Sequence, residues 1–319
     1  MKQSTKNIAI IIGVPVAYAL AITWIFGLAS WSDLYSVMSI TFLFLSPTII
    51  GALAVFLSRT EDAENAAYCI CVPWIPVFLF VLITLLFSIE GWGCWIMVLP
   101  FFLFTASIGG LIGGYFKTRR KRGKVYLSVL ALLPFFISPI EKIIGAIPGT
   151  YEAYTYIDIT SSPEKIWSNV TRVKEIPQEQ DRGTLTKFLR FPRPVKAELD
   201  FRGVGARREA IFSMGLVFHE TVLEYSDMEK MVFSIKANRY EIPSTTFDEH
   251  VTIGGEYFDV LSGTYRLQKL NDSKYRLHLY SNFKLTTTFN FYASWWARWI
   301  MEDIQNNILQ VIKARAEKK

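Results

Sequence analysis

FNFYASWWARWIMEDIQNNILQVIKARAEKK, residues 289–319, is the stretch on which the reading of the chain turns. At 3.6 residues per turn, Trp296, Trp299, Ile300, Ile304, Ile308 and Val311 fall on one broad face, and Arg298, Glu302, Gln305, Asn306 and Lys313 on the other. The spacing predicts a long amphipathic helix. So large an apolar face needs a surface to cover it, and the strand-like sequence just before it is the candidate. The expectation is an α+β unit in which a curved antiparallel sheet holds a C-terminal helix.

Working back from that helix, five strands are expected over residues 206–214, 216–225, 230–238, 257–270 and 274–287, with a break at Gly263 and a further short strand at 197–202. Met231, Phe233 and Ile235 alternate with Ser234 and Lys236, and Leu277, Leu279 and Phe283 with Arg276, His278 and Lys284. One face of these strands is therefore apolar, and it should meet the helix. The unit opens with a strand at Tyr151 to Ile159, then TSSPEKIWSNVTRV from Thr160 to Val173. There Ser161 or Ser162 can cap a helix, Pro163 suits its first turn, Glu164 complements its positive end, and Ile166, Trp167 and Val170 form a buried stripe.

The first half is of another kind. The chain has 319 residues, 51% of them hydrophobic and 15% aromatic, and the apolar excess is confined to the part before Ala146. Apolar runs at 8–29, 34–58, 68–89, 92–116 and 125–144 predict a bundle of about five transmembrane helices in a domain 1–146, followed by the domain 151–319. The first run is too long for a signal peptide and lacks a small-residue cleavage site, so it reads as a retained anchor. Pro134, Pro139, Glu141 and Lys142 weaken the fifth run, for which a lateral or re-entrant path is the alternative.

The net charge of +6 owes much to Lys117, Arg119, Arg120, Lys121, Arg122 and Lys124. Between two apolar runs, such a cluster is a topology anchor rather than a nucleic-acid patch. Together with Lys2 and Lys6 it orients a five-span chain in the plasma (inner) membrane with the N-terminus cytoplasmic and the C-terminal domain outside; four spans would put that domain in the cytoplasm. The spans lack central charges, so the expectation is an anchor or platform, not an ion path. Gly109, Gly110, Gly113 and Gly114 permit close helix approach, within the chain or in a homo-oligomer formed through the Gly109–Gly114 helix. Cys69, Cys71 and Cys94 read as small buried hydrophobes.

ITSSPEKIWSNV after a first strand, the meander, and the closing WWARWIMEDIQNNILQVIKARAE resemble the START-like superfamily, also called SRPBCC or polyketide cyclase-like. FPRPVKAELDFRGVGARREAIFSMG, residues 191–215, resembles membrane-anchored bacterial members of unassigned chemistry. The resemblance implies a helix-grip fold with a cavity between sheet and helix for a lipid or other hydrophobic small molecule.

Arg208, Phe212, Glu220, Phe233, Leu277, Leu279, Trp296, Trp299, Ile300, Asp303 and Asn307 are then the candidate ligand-binding residues. Each has a plainer reading. Asp303 and Asn307 can bond a neighbouring strand or solvent at the edge of the stripe, and Arg208 and Glu220 form a surface pair if the register slips by one. Leu185, Phe188, Leu189 and Phe191 can form a lip at the cavity mouth or touch the bilayer, or simply pack under a loop. His219, His250 and His278 lack metal spacing, and no nucleophile elbow, phosphate loop or zinc signature appears, so no metal, cofactor or catalytic residue is assigned. Three function classes remain: a binder of hydrophobic molecules, a cyclase, dehydratase or hydrolase on a hydrophobic substrate, and a non-catalytic membrane regulator acting by protein contact.

Overall fold

The computed structural model describes residues 2–119, 123–237 and 254–318. Arg120, Lys121, Arg122, Asn238 and His250, which enter the expectations above, lie outside them. The chain divides into two compact units, Met1–Ala146 and Ile147–Lys319.

The first unit is helical: α1 (Lys2–Phe26), a π-helical stretch Thr41–Leu45 leading into α2 (Ser46–Leu57), the short α3 (Thr60–Ala63) and α4 (Ala66–Cys71), then α5 (Trp74–Leu86), α6 (Trp92–Arg119) and α7 (Gly123–Ile144). Asn7–Phe26, Ala66–Leu86, Trp92–Arg119 and Lys124–Ile144 are long and apolar enough to cross a membrane. The apolar run at 34–58 is helical over the shorter Thr41–Leu57. Hydroxyls delay its start: Ser39 Oγ donates to the Ser36 carbonyl (2.6 Å) and accepts from the Phe42 amide (3.0 Å).

Glu141, which weakens the fifth run in the sequence, and Lys117, a topology charge there, sit at the ends of this helical stretch. The Glu141 carboxylate, carried by α7, accepts from the Ile40 amide (2.7 Å), the Thr41 amide (2.9 Å) and the Thr41 hydroxyl (2.5 Å) at its positive end. Lys117, from α6, donates to the Phe56 carbonyl (2.8 Å) and the Ser58 carbonyl beyond its other end. Each satisfies backbone groups that the helix itself leaves unpaired. The glycines of α6 lie against α2 and α4 of the same chain, so that face is occupied internally.

The second unit is built from β1 (Gly149–Thr160), α8 (Pro163–Thr171), β2 (Arg172–Val173), α9 (Leu185–Phe188), β3 (Pro194–Leu199), β4 (Arg207–Phe212), β5 (Val217–Ser226), β6 (Lys230–Ala237), β7 (Phe258–Lys269), β8 (Lys274–Leu285) and α10 (Asn290–Ala316). The eight strands are antiparallel in the order β1-β8-β7-β6-β5-β4-β3-β2. The curved sheet and the helices packed on it make a helix-grip arrangement. Helix α8 begins as expected, with Ser162 Oγ accepting from the Lys165 amide (3.3 Å). Strand β7 runs unbroken through Gly263 and is irregular between Val260 and Ser262 instead. Gly263 makes room for a ring: a Cβ there would lie 2.4 Å from Cζ of Phe233.

The rotation of α10 differs from the sequence expectation. Trp299 is 46% exposed, whereas Gln305, assigned to the wet face, is 2% exposed. The buried line runs through Gln305, Leu309, Ile312 and Ala316, and Ala293, Ala297 and Met301 extend it toward the N-terminus. Slender residues allow the helix to lie close to the sheet. Gln305 reaches it by hydrogen bonds, donating to the Ala153 carbonyl (3.1 Å) and Ser281 Oγ (2.8 Å) and accepting from the Thr155 hydroxyl (3.0 Å). A fully bonded amide can be buried at little cost, which hydrophobic periodicity does not register.

Candidate functional site

Period-2 alternation sends Arg208, Ala210 and Phe212 of β4 and Phe218, Glu220 and Val222 of β5 to the face covered by α8 and α10. Arg208 stands directly across from Glu220 in the ladder. The pair is interior: Arg208 is 4% and Glu220 6% exposed, and Nη1 of the guanidinium donates to Oε2 of the carboxylate. The guanidinium lies 5.4 Å from the Phe233 ring centre and 5.9 Å from that of Tyr265, and the two rings stack on each other at 5.9 Å. Around them are Val222, Met231, Leu267, Leu277 and Leu279, all buried in one apolar cluster with Leu309 and Ile312 of α10.

Charge in such a place must be compensated. Burial pushes the Glu220 carboxyl up, and Arg208 draws it back only in part. For Arg208 burial works toward losing the proton, but the charge of Glu220 and the bond with Tyr265 outweigh it, and the guanidinium is held charged. Burial also raises the Tyr265 phenol. One donor is left over: Arg208 Nε is buried without a hydrogen-bond partner. A guanidinium carries five N–H donors in a fixed fork, and an unmet one inside an apolar layer costs about 1–3 kcal/mol. What the arrangement lacks is an acceptor for that N–H.

Of the candidate ligand residues, Arg208, Glu220, Phe233, Leu277 and Leu279 come together here. Phe212 belongs to the adjoining cluster, edge-on to Phe218 at 5.1 Å. Trp296 is buried, Ile300 half-buried, and Trp299 faces outward. Tyr265 was not singled out from the sequence. It lies an even number of residues from Gly263 and Leu267, so the alternation of β7 around Gly263 carried the signal.

Asp303 and Asn307 face the segment before β3. Asp303 accepts from the amides of Thr184 (3.1 Å) and Thr186 (2.9 Å) and from their hydroxyls (3.0 and 2.7 Å). Asn307 accepts from the Arg182 amide (2.7 Å) and donates to Asp181 Oδ1 (2.7 Å). Burial alone would raise the Asp303 carboxyl, but those four bonds outweigh it and hold the carboxyl below the usual range. The stability it contributes is then present above the ordinary carboxylate pKa and lost as pH falls through the lowered value. Asp303→Asn should loosen this segment selectively, by about 1.5–3 kcal/mol of charge-assisted bonding. Hydrogen exchange at the Thr184 and Thr186 amides reads it: protection drops in the variant and, in the wild type, in acid. Unchanged protection would show the segment held by something else.

The outer face of the sheet carries polar ladders. His278 Nδ1 is bonded to the Tyr154 hydroxyl (2.8 Å) and Nε2 to Gln268 (3.1 Å), while Asp158 takes Arg276 (2.8 Å) and Lys274 (3.2 Å). His219 lies near Glu209, also exposed. Among the described residues no group of three or more His, Cys, Asp or Glu side chains gathers that could hold a metal.

No protein-family model matches the chain, and no curated protein matches it. Solved structures similar to it include a truncated norcoclaurine synthase from Thalictrum flavum (13% identity, 54% of this chain and 97% of that chain, TM-score 0.32). A START superfamily protein from Mycobacterium smegmatis is similar at 10% identity, over 53% of this chain and 98% of that chain, with TM-score 0.34. An aromatase/cyclase from a Streptomyces species is similar at 13% identity, over 53% and 94%, with TM-score 0.33.

Proposed function

We propose that the chain is an integral membrane protein whose second unit binds an amphiphilic small molecule, a lipid or similar hydrophobic compound, between the sheet and α10. The observation that carries this reading is the buried Nε of Arg208, left without a hydrogen-bond partner within an apolar layer. Burial of the guest's hydrocarbon supplies the affinity, at about 25 cal/mol per Å², and the guanidinium fixes its polar end. Tethering beside a bilayer raises the local concentration of a scarcely soluble guest. The first unit is the anchor, with Thr41–Leu57 added to the four longer helices to give five spans, and the charge asymmetry then puts the second unit outside the cytoplasm.

Native mass spectrometry of the detergent-purified full chain, followed by lipid extraction, tests the reading. A bound amphiphile of defined mass is expected, released on unfolding. A ligand-free protein that also fails to take up an apolar fluorescent probe would overturn it. An enzymatic reading has one feature in its favour, the convergence of Tyr265 with a carboxyl raised by burial. It would be preferred if the extracted compound and its product were both found on the protein.

A further inference from the structure

Six of the eleven residues from Phe289 to Trp299 are aromatic: Phe289, Phe291, Tyr292, Trp295, Trp296 and Trp299. The three tryptophans pack on one another, with ring centres 5.2, 5.3 and 5.7 Å apart. Of the three tryptophans only Trp296 is buried. Trp295 is 56% and Phe291 64% exposed, and Trp299 nearly half. This internally braced apolar patch is exposed at Trp295 and Trp299, and sheet packing does not require it, because the sheet is met by the Ala297–Met301–Gln305 line.

Two observations indicate what covers it. Asn290 Nδ2 donates to the Ile147 carbonyl (2.7 Å), so the start of α10 is fastened three residues beyond the end of Lys124–Ile144, one of the membrane-length helices. Three residues reach at most about 11 Å. The start of α10 is thus tied by a short stretch of chain to the end of that helix, and Ile147 itself is exposed. Charge agrees at the start of α10: from Asn282 to Trp299 the charged residues are Lys284 and Arg298, both positive, as an anionic lipid surface favours, and the acidic Glu302 and Asp303 come one turn later. Tryptophan, apolar in body with one N–H, is the side chain that settles at the level of the headgroups.

We propose that the N-terminal turns of α10 are a lipid-contact surface, with Trp295 and Trp299 seated in the interfacial layer of the bilayer that anchors the chain. The inference rests on the insertion of Lys124–Ile144 proposed above. The patch then sets the second unit on the membrane at the end of α10 that carries the tryptophans, leaving the outer face of the sheet in water.

Photocrosslinking of the full chain in vesicles of phosphatidylcholine and phosphatidylglycerol tests it. p-Benzoylphenylalanine is placed singly at Trp295, at Trp299, at Val129 in α7, and at Glu209 on the outer face of the sheet, and the adducts are weighed. Phospholipid adducts at 295, 299 and 129, and their loss at 209, are expected. Adducts at 129 but not at 295 or 299 would overturn the inference and leave insertion standing, whereas no adduct at 129 would overturn insertion itself. A protein adduct at 295, to a second copy or another chain, would also overturn it.

Discussion

Arg208→Met is expected to destabilise the second unit by about 3–5 kcal/mol, because it leaves a carboxylate buried with no counter-charge. Glu220→Met should cost a similar amount for the mirror-image reason, with an unpaired guanidinium left over Phe233 and Tyr265. The double variant Arg208→Met/Glu220→Met removes both charges at roughly equal volume and should return close to wild-type stability, since a buried pair often adds little over apolar packing. Thermal proteolysis of the full chain in detergent, followed on fragments of residues 147–319, reads all three. This series also separates structure from function. If the pair serves only the fold, the double variant keeps its guest; if Arg208 Nε meets the guest's polar end, the double variant folds and loses it. A double variant as unstable as either single one would mean that these two side chains do not compensate each other.

The parts of the fold that were legible from the sequence rest on neighbours along the chain. Ser162, Pro163 and Glu164 start α8 by local chemistry, and the alternation in β6 and β8 assigns their faces without knowledge of any partner. What was not legible depends on distant contacts. The burial of Gln305 requires Thr155, Ala153 and Ser281 at hydrogen-bonding distance, from strands at least 24 residues away. Periodicity weighed tryptophan as interior, and it rotated α10 toward a face that is partly exposed. The same holds for Glu141 and Lys117, read as a flaw in a span and a topology charge, which bond opposite ends of a helix about 100 and 60 residues away in sequence. Arg208 and Glu220 were a matter of register, which a one-residue slip would have reversed and which the ladder resolves inward.

Gly109→Val should be among the most damaging single changes in the first unit. A Cβ at Gly109 would fall 1.8 Å from the Thr48 carbonyl oxygen of α2, and one at Gly51, across the same contact, 1.9 Å from the Ala106 carbonyl oxygen. Both obstacles are helical backbone, so no side chain can rotate aside and the two helices must separate along their contact. That separation strips packing from Ile49, Ala52, Ala54 and Val55, which are fully buried, and the cost should exceed the about 1–3 kcal/mol of ordinary overpacking. Gly109→Ala should already show most of the loss. Gly114→Ala should be milder, because its nearest neighbours, the Cys69 sulfur at 2.8 Å and the Ala63 carbonyl oxygen at 3.0 Å, stand farther off than the backbone facing Gly109, and Gly13→Ala meets nothing within 4 Å and should gain up to about 1 kcal/mol of helix propensity. Unfolding of the detergent-solubilised chain by added dodecyl sulfate ranks the four. If Gly109→Ala proved as stable as Gly13→Ala, the close approach of α2 and α6 would be refuted. So would the account of Lys117, whose bonds to the end of α2 are made from the last turns of α6 and fail if those helices stand apart.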